Sequence, residues 1–330
     1  MVVGHRVTAS QGQARAPLWT HTPGTRKVTP DLPTNVSRRK GLRSGSGPCD
    51  KGAMSPDDRT LRVGSVPYLV GRPLDRGLGD EPGISLEHDV PARLVERLRA
   101  GALDAALVSS IELFRRPGYR FLDGIGVAGD GYVGSVQVFL RRPIQKARSI
   151  ALDPASRAAA ALTRSLLEER DGGPPEFVEV ALGEDPAARE DTDGWLRIGD
   201  RALRETLTID APAWNPSEEW RRVTGLPFVF AAWIVREDVD IEPYLDAFAA
   251  ARVRGRNAIG ELSARAAEAW GLPEAQCLSY LSEECSYDPG PAMAPALREF
   301  QRRAARADLC DPQALPEPIP MPLAPTAEEH

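Results

Sequence analysis

The sequence predicts an α/β fold with largely parallel sheets, built as two lobes of which the first is discontinuous in the chain. Three observations predict it. Short apolar strands alternate with stretches of 3.6-residue apolar spacing through residues 59–310. Two pairs of segments echo each other: LRVGSVPY (61–68) with RSIALDPASR (148–157), and LDAALVSSIEL (103–113) with GWLRIGDRAL (194–203). Two longer apolar runs, 134–140 and 228–235, suit segments that cross from one lobe to the other and back.

In chain order, residues 1–58 are rich in Gly, Pro, Ser, Thr and Arg without apolar periodicity and are expected to be disordered. Met54 lies just before the first strand, as an alternative start would. Strands are expected at Leu61–Val66, Ser85–His88, Ala105–Val108, Gly134–Leu140, Ser149–Leu152, Phe177–Val180, Trp195–Ile198 and Phe228–Val235. Helices are expected at 91–100, 110–115, 156–170, 200–206, 242–254, 256–270, 273–284 and 291–307. The first lobe then comprises 59–138 and 229–310, the second 139–228, and the Pro-rich segment 311–330 reads as a disordered tail. Two similar halves place four strand ends around one cleft, where open α/β sheets bind ligands.

Composition narrows the function classes. The 330 residues allow about two domains, and 42% hydrophobic with 6% aromatic content implies a core of Ala, Leu, Val and Ile. Of 41 basic residues four are Lys (27, 40, 51 and 146), a bias attributed to genome composition. The net charge of −6 is uneven: residues 1–51 hold nine Lys/Arg against Asp31 and Asp50, a balance of +7 that leaves −13 for the rest. That basic segment lacks interleaved aromatics, so no nucleic-acid partner is expected. Cys49, Cys277, Cys285 and Cys310 have no metal-ligand spacing, and His5, His21, His88 and His330 are scattered, so neither a metal nor a cofactor is expected. The longest apolar run, Leu226 to Val235, falls short of the ~20 residues that span a bilayer. MVVGHRVTASQGQ has no apolar signal core, and a cytoplasmic protein is expected.

The candidate site residues are small and neutral. Tyr68 follows the first strand. Ser109 and Ser110 end an apolar strand where a helix starts, a pattern that suits either a helix N-cap or an anion held by free N–H groups. Ser135 sits between a glycine and an extended run. Ser156 reads as an N-cap with Arg157 directly after it. Glu112 faces a cleft only if its helix begins at Ser110, and it is the weak candidate for an acid or base. Asp153 and Asp200 stand at strand ends, where caps are commoner than catalysts.

In order along the chain, YLVGRPL (68–74), LDAALVSSIE (103–112), GYVGSV (131–136), ALDPASR (151–157), IGDRAL (198–203) and TGLPFVFAAW (224–233) resemble the chorismate dehydratases of menaquinone biosynthesis, the MqnA type. The resemblance spans about 61–305. It implies a two-lobed fold like the type 2 periplasmic solute-binding proteins, used as an enzyme that removes water from chorismate to give 3-[(1-carboxyvinyl)oxy]benzoate on the futalosine route. The implied substrate contacts are Tyr68, Val70, Ser109, Ser110, Ser135, Ser156, Arg157, Gly199 and Asp200. The sister group that makes 1,4-dihydroxy-6-naphthoate has a different first motif and uses a histidine absent here. Two departures stand out: Val70 replaces the family's usual Asn, and Ala158 and Ala159 replace Thr-Ser. Together they remove up to three donors expected in the cleft. A non-catalytic binder of a cyclic or aromatic carboxylate is the alternative.

Overall fold

The computed structural model describes residues 60–181, 183–312 and 315–322; the expectations for residues 1–58, Cys49, His5, His21 and His330 lie outside them. The described strands are β1 (Leu61–Ser65), β2 (Ile84–His88), β3 (Ala105–Ser109), β4 (Tyr119–Gly129), β5 (Val136–Leu140), β6 (Ser149–Leu152), β7 (Glu176–Glu179), β8 (Gly194–Ile198), β9 (Ala213–Trp214), β10 (Phe228–Arg236) and β11 (Pro318–Ile319). The helices are α1 (Arg72–Asp75), α2 (Pro91–Arg99), α3 (Glu112–Arg115), α4 (Arg157–Leu167), α5 (Gly199–Thr208), α6 (Pro216–Thr224), α7 (Leu245–Asn257), α8 (Ile259–Trp270), α9 (Glu274–Ser279) and α10 (Met293–Arg306).

One sheet has the order β11-β4-β10-β3-β1-β2 and the other β7-β6-β8-β5-β9. A parallel triplet forms one end of each: β3-β1-β2 in the first, β8-β6-β7 in the second. Each triplet is flanked by an antiparallel strand, β10 beside β3 and β5 beside β8. The two echoed sequence pairs therefore occupy equivalent places, β1 with β6 and β3 with β8. This is the α/β fold expected. The strand expected to carry the chain out of the first lobe lies wholly in the second sheet, so the crossing falls at 130–135, between β4 and β5. Gly131, with φ of 131°, makes the break there.

The short α1 and β9 have no counterpart in the expectation, and three further elements differ from it. The eleven-residue β4 lies between β10 and β11, where the sequence suggests no strand because three glycines interrupt it. Gly126 is required there, since a Cβ would lie 2.6 Å from the Ala231 carbonyl oxygen of β10. Helix α6 is also unexpected, yet it carries a full set of signals. Asn215 accepts the Glu218 N–H at 2.9 Å, Pro216 opens the first turn, and Gly225 ends it in the left-handed region. Finally, the segment expected to be a disordered tail contributes β11, whose Pro318 and Ile319 pair with Phe121 and Leu122 of β4. Ile319 is buried, and that burial holds the strand on the sheet edge.

The core lies beneath β4 and β10. Helix α10 buries Met293, Ala296, Leu297, Phe300 and Ala304, the spacing of one helical face. Phe300 meets Phe228 edge-on at 4.7 Å and Phe114 at 5.9 Å. Each such side chain stabilises the fold by about 1.5–3 kcal/mol through burial. No helix of the described residues is long and apolar enough to cross a membrane.

Candidate functional site

Four strand ends meet around one cavity of about 100 Å³. After β1 come Tyr68 and Val70; β3 ends at Ser109; the turn after β6 brings Ser156; β8 gives way to Gly199. Ser135, from the crossing segment, completes the polar wall. The remaining lining is mainly apolar, including Val66, Val127, Val133, Ile198 and Phe230. Sequence reasoning misses this apolar wall; its members are ordinary strand and strand-end residues, and only the fold brings them to one place.

The hydroxyls are arranged as donors. Ser109 Oγ is buried and has no hydrogen-bond partner, an arrangement that costs about 1–3 kcal/mol unless a ligand completes it. Ser135 Oγ accepts the Tyr280 O–H at 2.9 Å, which leaves its own proton free. Ser156 Oγ accepts the Ala159 N–H at 3.2 Å as the N-cap of α4, again without using its proton. Burial, reinforced by the carboxyls of Asp153 and Asp200, pushes the Tyr68 phenol up to about 12, so it too remains an O–H donor. Gly199 holds φ of 69° and donates its N–H to the Ser135 carbonyl at 2.8 Å, joining β8 to the crossing segment. A side chain there would be strained in that conformation.

Several expected site residues are elsewhere. Ser110 is fully buried and donates to the Val229 carbonyl at 2.6 Å. Neither serine caps α3, which starts at Glu112 with Ile111 before it and no side-chain cap. Glu112 is 1% exposed and clamped by Arg99 through two bonds of 2.7 and 2.6 Å, away from the cavity. Its role is structural: Glu112→Gln should cost about 1–2 kcal/mol of stability, read by denaturant unfolding, and leave turnover within about threefold. Arg157 lines a different, larger cavity of about 810 Å³ that also holds Arg99, Arg115 and Arg164, and Ser156 borders both. Asp200 follows Gly199 but does not line the smaller cavity. Its Oδ1 is buried without a partner, and burial raises its pKa to about 6 although the Leu69 backbone N–H pulls the other way.

Of the two departures in sequence, only Val70 faces the cavity. Ala158 and Ala159 are buried in α4 and take no donor from this wall. Cys285, which nothing in the sequence singles out, does line it, with its thiol pushed up to about 12 by burial. The lining includes no Asp, Glu, His or Lys. Among the described residues no group of three His, Cys, Asp or Glu is placed to hold a metal ion.

Comparison with known proteins gives the same architecture. A crystallised protein of Archaeoglobus fulgidus superposes with a TM-score of 0.59 at 16% identity, over 75% of this chain and 97% of that one. The alkanesulfonate-binding protein of Xanthomonas axonopodis pv. citri, bound to MOPS, gives 0.58 at 16% identity, over 79% and 97%. These fix the fold as periplasmic-binding-protein-like. In sequence, the chain is 30% identical over 232 residues to a chorismate dehydratase of Thermus thermophilus, covering 62% of this chain and 84% of that protein. It is 31% identical over 164 residues to a chorismate dehydratase of Campylobacter jejuni, covering 50% and 58%. Residues 61–306 match the family described as menaquinone biosynthesis, and the chain belongs to that family.

Proposed function

We propose that the chain is a chorismate dehydratase of the cytoplasm, removing water from chorismate to give 3-[(1-carboxyvinyl)oxy]benzoate on the futalosine route to menaquinone. The observation that carries this reading is the cavity wall: hydroxyl donors at Tyr68, Ser109, Ser135 and Ser156, set in apolar surroundings. Such a wall suits a ring bearing two carboxylates. Neutral donors stabilise the charges without bringing competing cations, and their strength grows as water is excluded.

The elimination removes the proton from ring C3 and the hydroxyl from C4, and the ring becomes aromatic. The titratable side chains lining the cavity, Tyr68 and Cys285, both hold their protons to about pH 12 and are poor bases at neutrality. The substrate's own side-chain carboxylate therefore accepts the proton, and the protein fixes its conformation against the ring. At about 100 Å³ the cavity is smaller than the ~300 Å³ usual for ligand sites. Chorismate enters as the lobes part and is held as they close.

Purified protein incubated with chorismate should yield a benzoate product, followed by ultraviolet absorbance and chromatography. A raised melting temperature with chorismate but no product would refute the dehydratase reading and establish the carboxylate binder instead. Val70, which lacks the amide donor usual in the family, is what keeps the binder in contention.

A further inference from the structure

We propose that Tyr280, outside the cavity, is a positioning residue that aims the Ser135 hydroxyl into it. Resting on the dehydratase reading, this identifies what orients one of its donors. Tyr280 belongs to a π-helical turn, Tyr280–Glu284, that directly continues α9. π turns are rare, appear mostly as single turns joined to α-helices, and are frequent at functional sites. Here the turn grips two successive residues of the crossing segment. The Tyr280 O–H donates to Ser135 Oγ at 2.9 Å, and Glu284 Oε2 accepts the Gly134 N–H at 2.6 Å.

The chain beyond the turn is anchored to the first sheet. Ser286 exchanges two backbone hydrogen bonds of 2.8 Å with Ala128 of β4, and the Tyr287 carbonyl accepts the Gly126 N–H at 3.2 Å. Segment 280–287 thus ties the crossing segment to β4, and its Cys285 reaches the cavity wall.

A serine hydroxyl has one proton and two acceptor sites and rotates freely unless something fixes it. Tyr280 is fully buried, and its phenol is held well above its usual pKa by that burial, so it remains a donor across the accessible pH range. With the phenol proton given to one Ser135 lone pair, the serine proton is directed away from Tyr280, towards the cavity. Without the phenol, the Ser135 hydroxyl would lose the partner that fixes it and divide its time among rotamers.

Tyr280→Phe keeps the buried ring and removes the donor. In the chorismate assay KM should rise about tenfold, the size of one neutral hydrogen bond, while kcat stays within about twofold. In the Ser135→Ala background the same substitution should change nothing further. An unchanged KM, or an equal loss in both backgrounds, overturns the proposal. If the wild-type chain makes no product from chorismate, the dehydratase reading fails, and the Tyr280 proposal is decided by the crystal structure of Tyr280→Phe. Ser135 Oγ in more than one rotamer supports it; one unchanged rotamer overturns it. Should the Phe variant not fold, 3-fluorotyrosine at 280 keeps the packing and strengthens the donor. Its effect on KM must then be present with Ser135 and absent in the Ser135→Ala background, or, without turnover, Ser135 must keep its single rotamer in that crystal.

Discussion

Ser109→Ala should make the ligand-free protein more stable while lowering kcat/KM for chorismate by about ten- to a hundredfold. Both effects come from the same atom. In the free protein Ser109 Oγ is buried with no hydrogen-bond partner, so deleting it removes a desolvated polar group and leaves the Cβ packed as before. Removal of such a group returns about 1–2 kcal/mol. The backbone pairing of Ser109 with Ala231 does not involve the hydroxyl and is retained. With substrate bound, the hydroxyl instead donates to a carboxylate, a bond worth about 1.5–3 kcal/mol. Thermal melting of the free protein and steady-state kinetics on the same preparations check the pair. A lower melting temperature with unaltered kinetics would show that the serine serves packing alone. Opposite movement of the two quantities is the signature of a site that stores an unpaired group for its ligand.

The contrast between Ser109 and its neighbour shows how far the sequence carries the site. The strand, the turn and the paired hydroxyls are legible, as are the four echoed strand ends that converge on the cavity. Which serine faces inward is not. Successive strand residues point to opposite sides, and the phase depends on where the strand stops. The helix expected from residue 110 begins at Glu112, and Ser110 instead turns into the core to reach Val229. Arg157 fails for a related reason. It directly follows the N-cap, but the helical screw carries its side chain to the larger, arginine-lined cavity on the other side of the 153–156 turn. Tyr280 is illegible because a π turn leaves no periodic mark in five residues. β4 is hidden by its glycines, although one of them exists only to admit the neighbouring strand. The Asn-Pro start and Gly stop of α6, by contrast, are written in full, and only its shortage of apolar residues conceals it.

Asp200 should make stability fall as pH rises from acid towards neutrality. Its carboxyl is pushed by burial from the ordinary 3.8 to about 6, with the Leu69 N–H and the charges of Arg204 and Arg72 opposing the shift only in part. The raised value means the folded protein binds this proton more tightly than the unfolded chain. Stability from this group is therefore full at low pH and is lost as pH rises from about 4 through 6. At neutral pH the buried negative charge costs on the order of 2–3 kcal/mol. Asp200→Asn keeps an oxygen to accept the Leu69 N–H and removes the charge. It should unfold at higher denaturant concentration than wild type at pH 7.5, with the gain falling to about a third of that value near pH 4.5. Work above pH 4.5 avoids the window in which Asp185 and Glu299, both held near 2 by arginines despite the opposing effect of burial, lose their own contributions. An Asn variant that is less stable at pH 7.5, or a difference that does not vary with pH, would mean Asp200 is ionised at little cost and accepts hydrogen bonds in the usual way. Since Asp200 directly follows Gly199 and its charge acts on Tyr68, the same titration should appear in binding. Chorismate affinity should weaken as pH rises through about 6 in the wild type and stay level in the Asn variant.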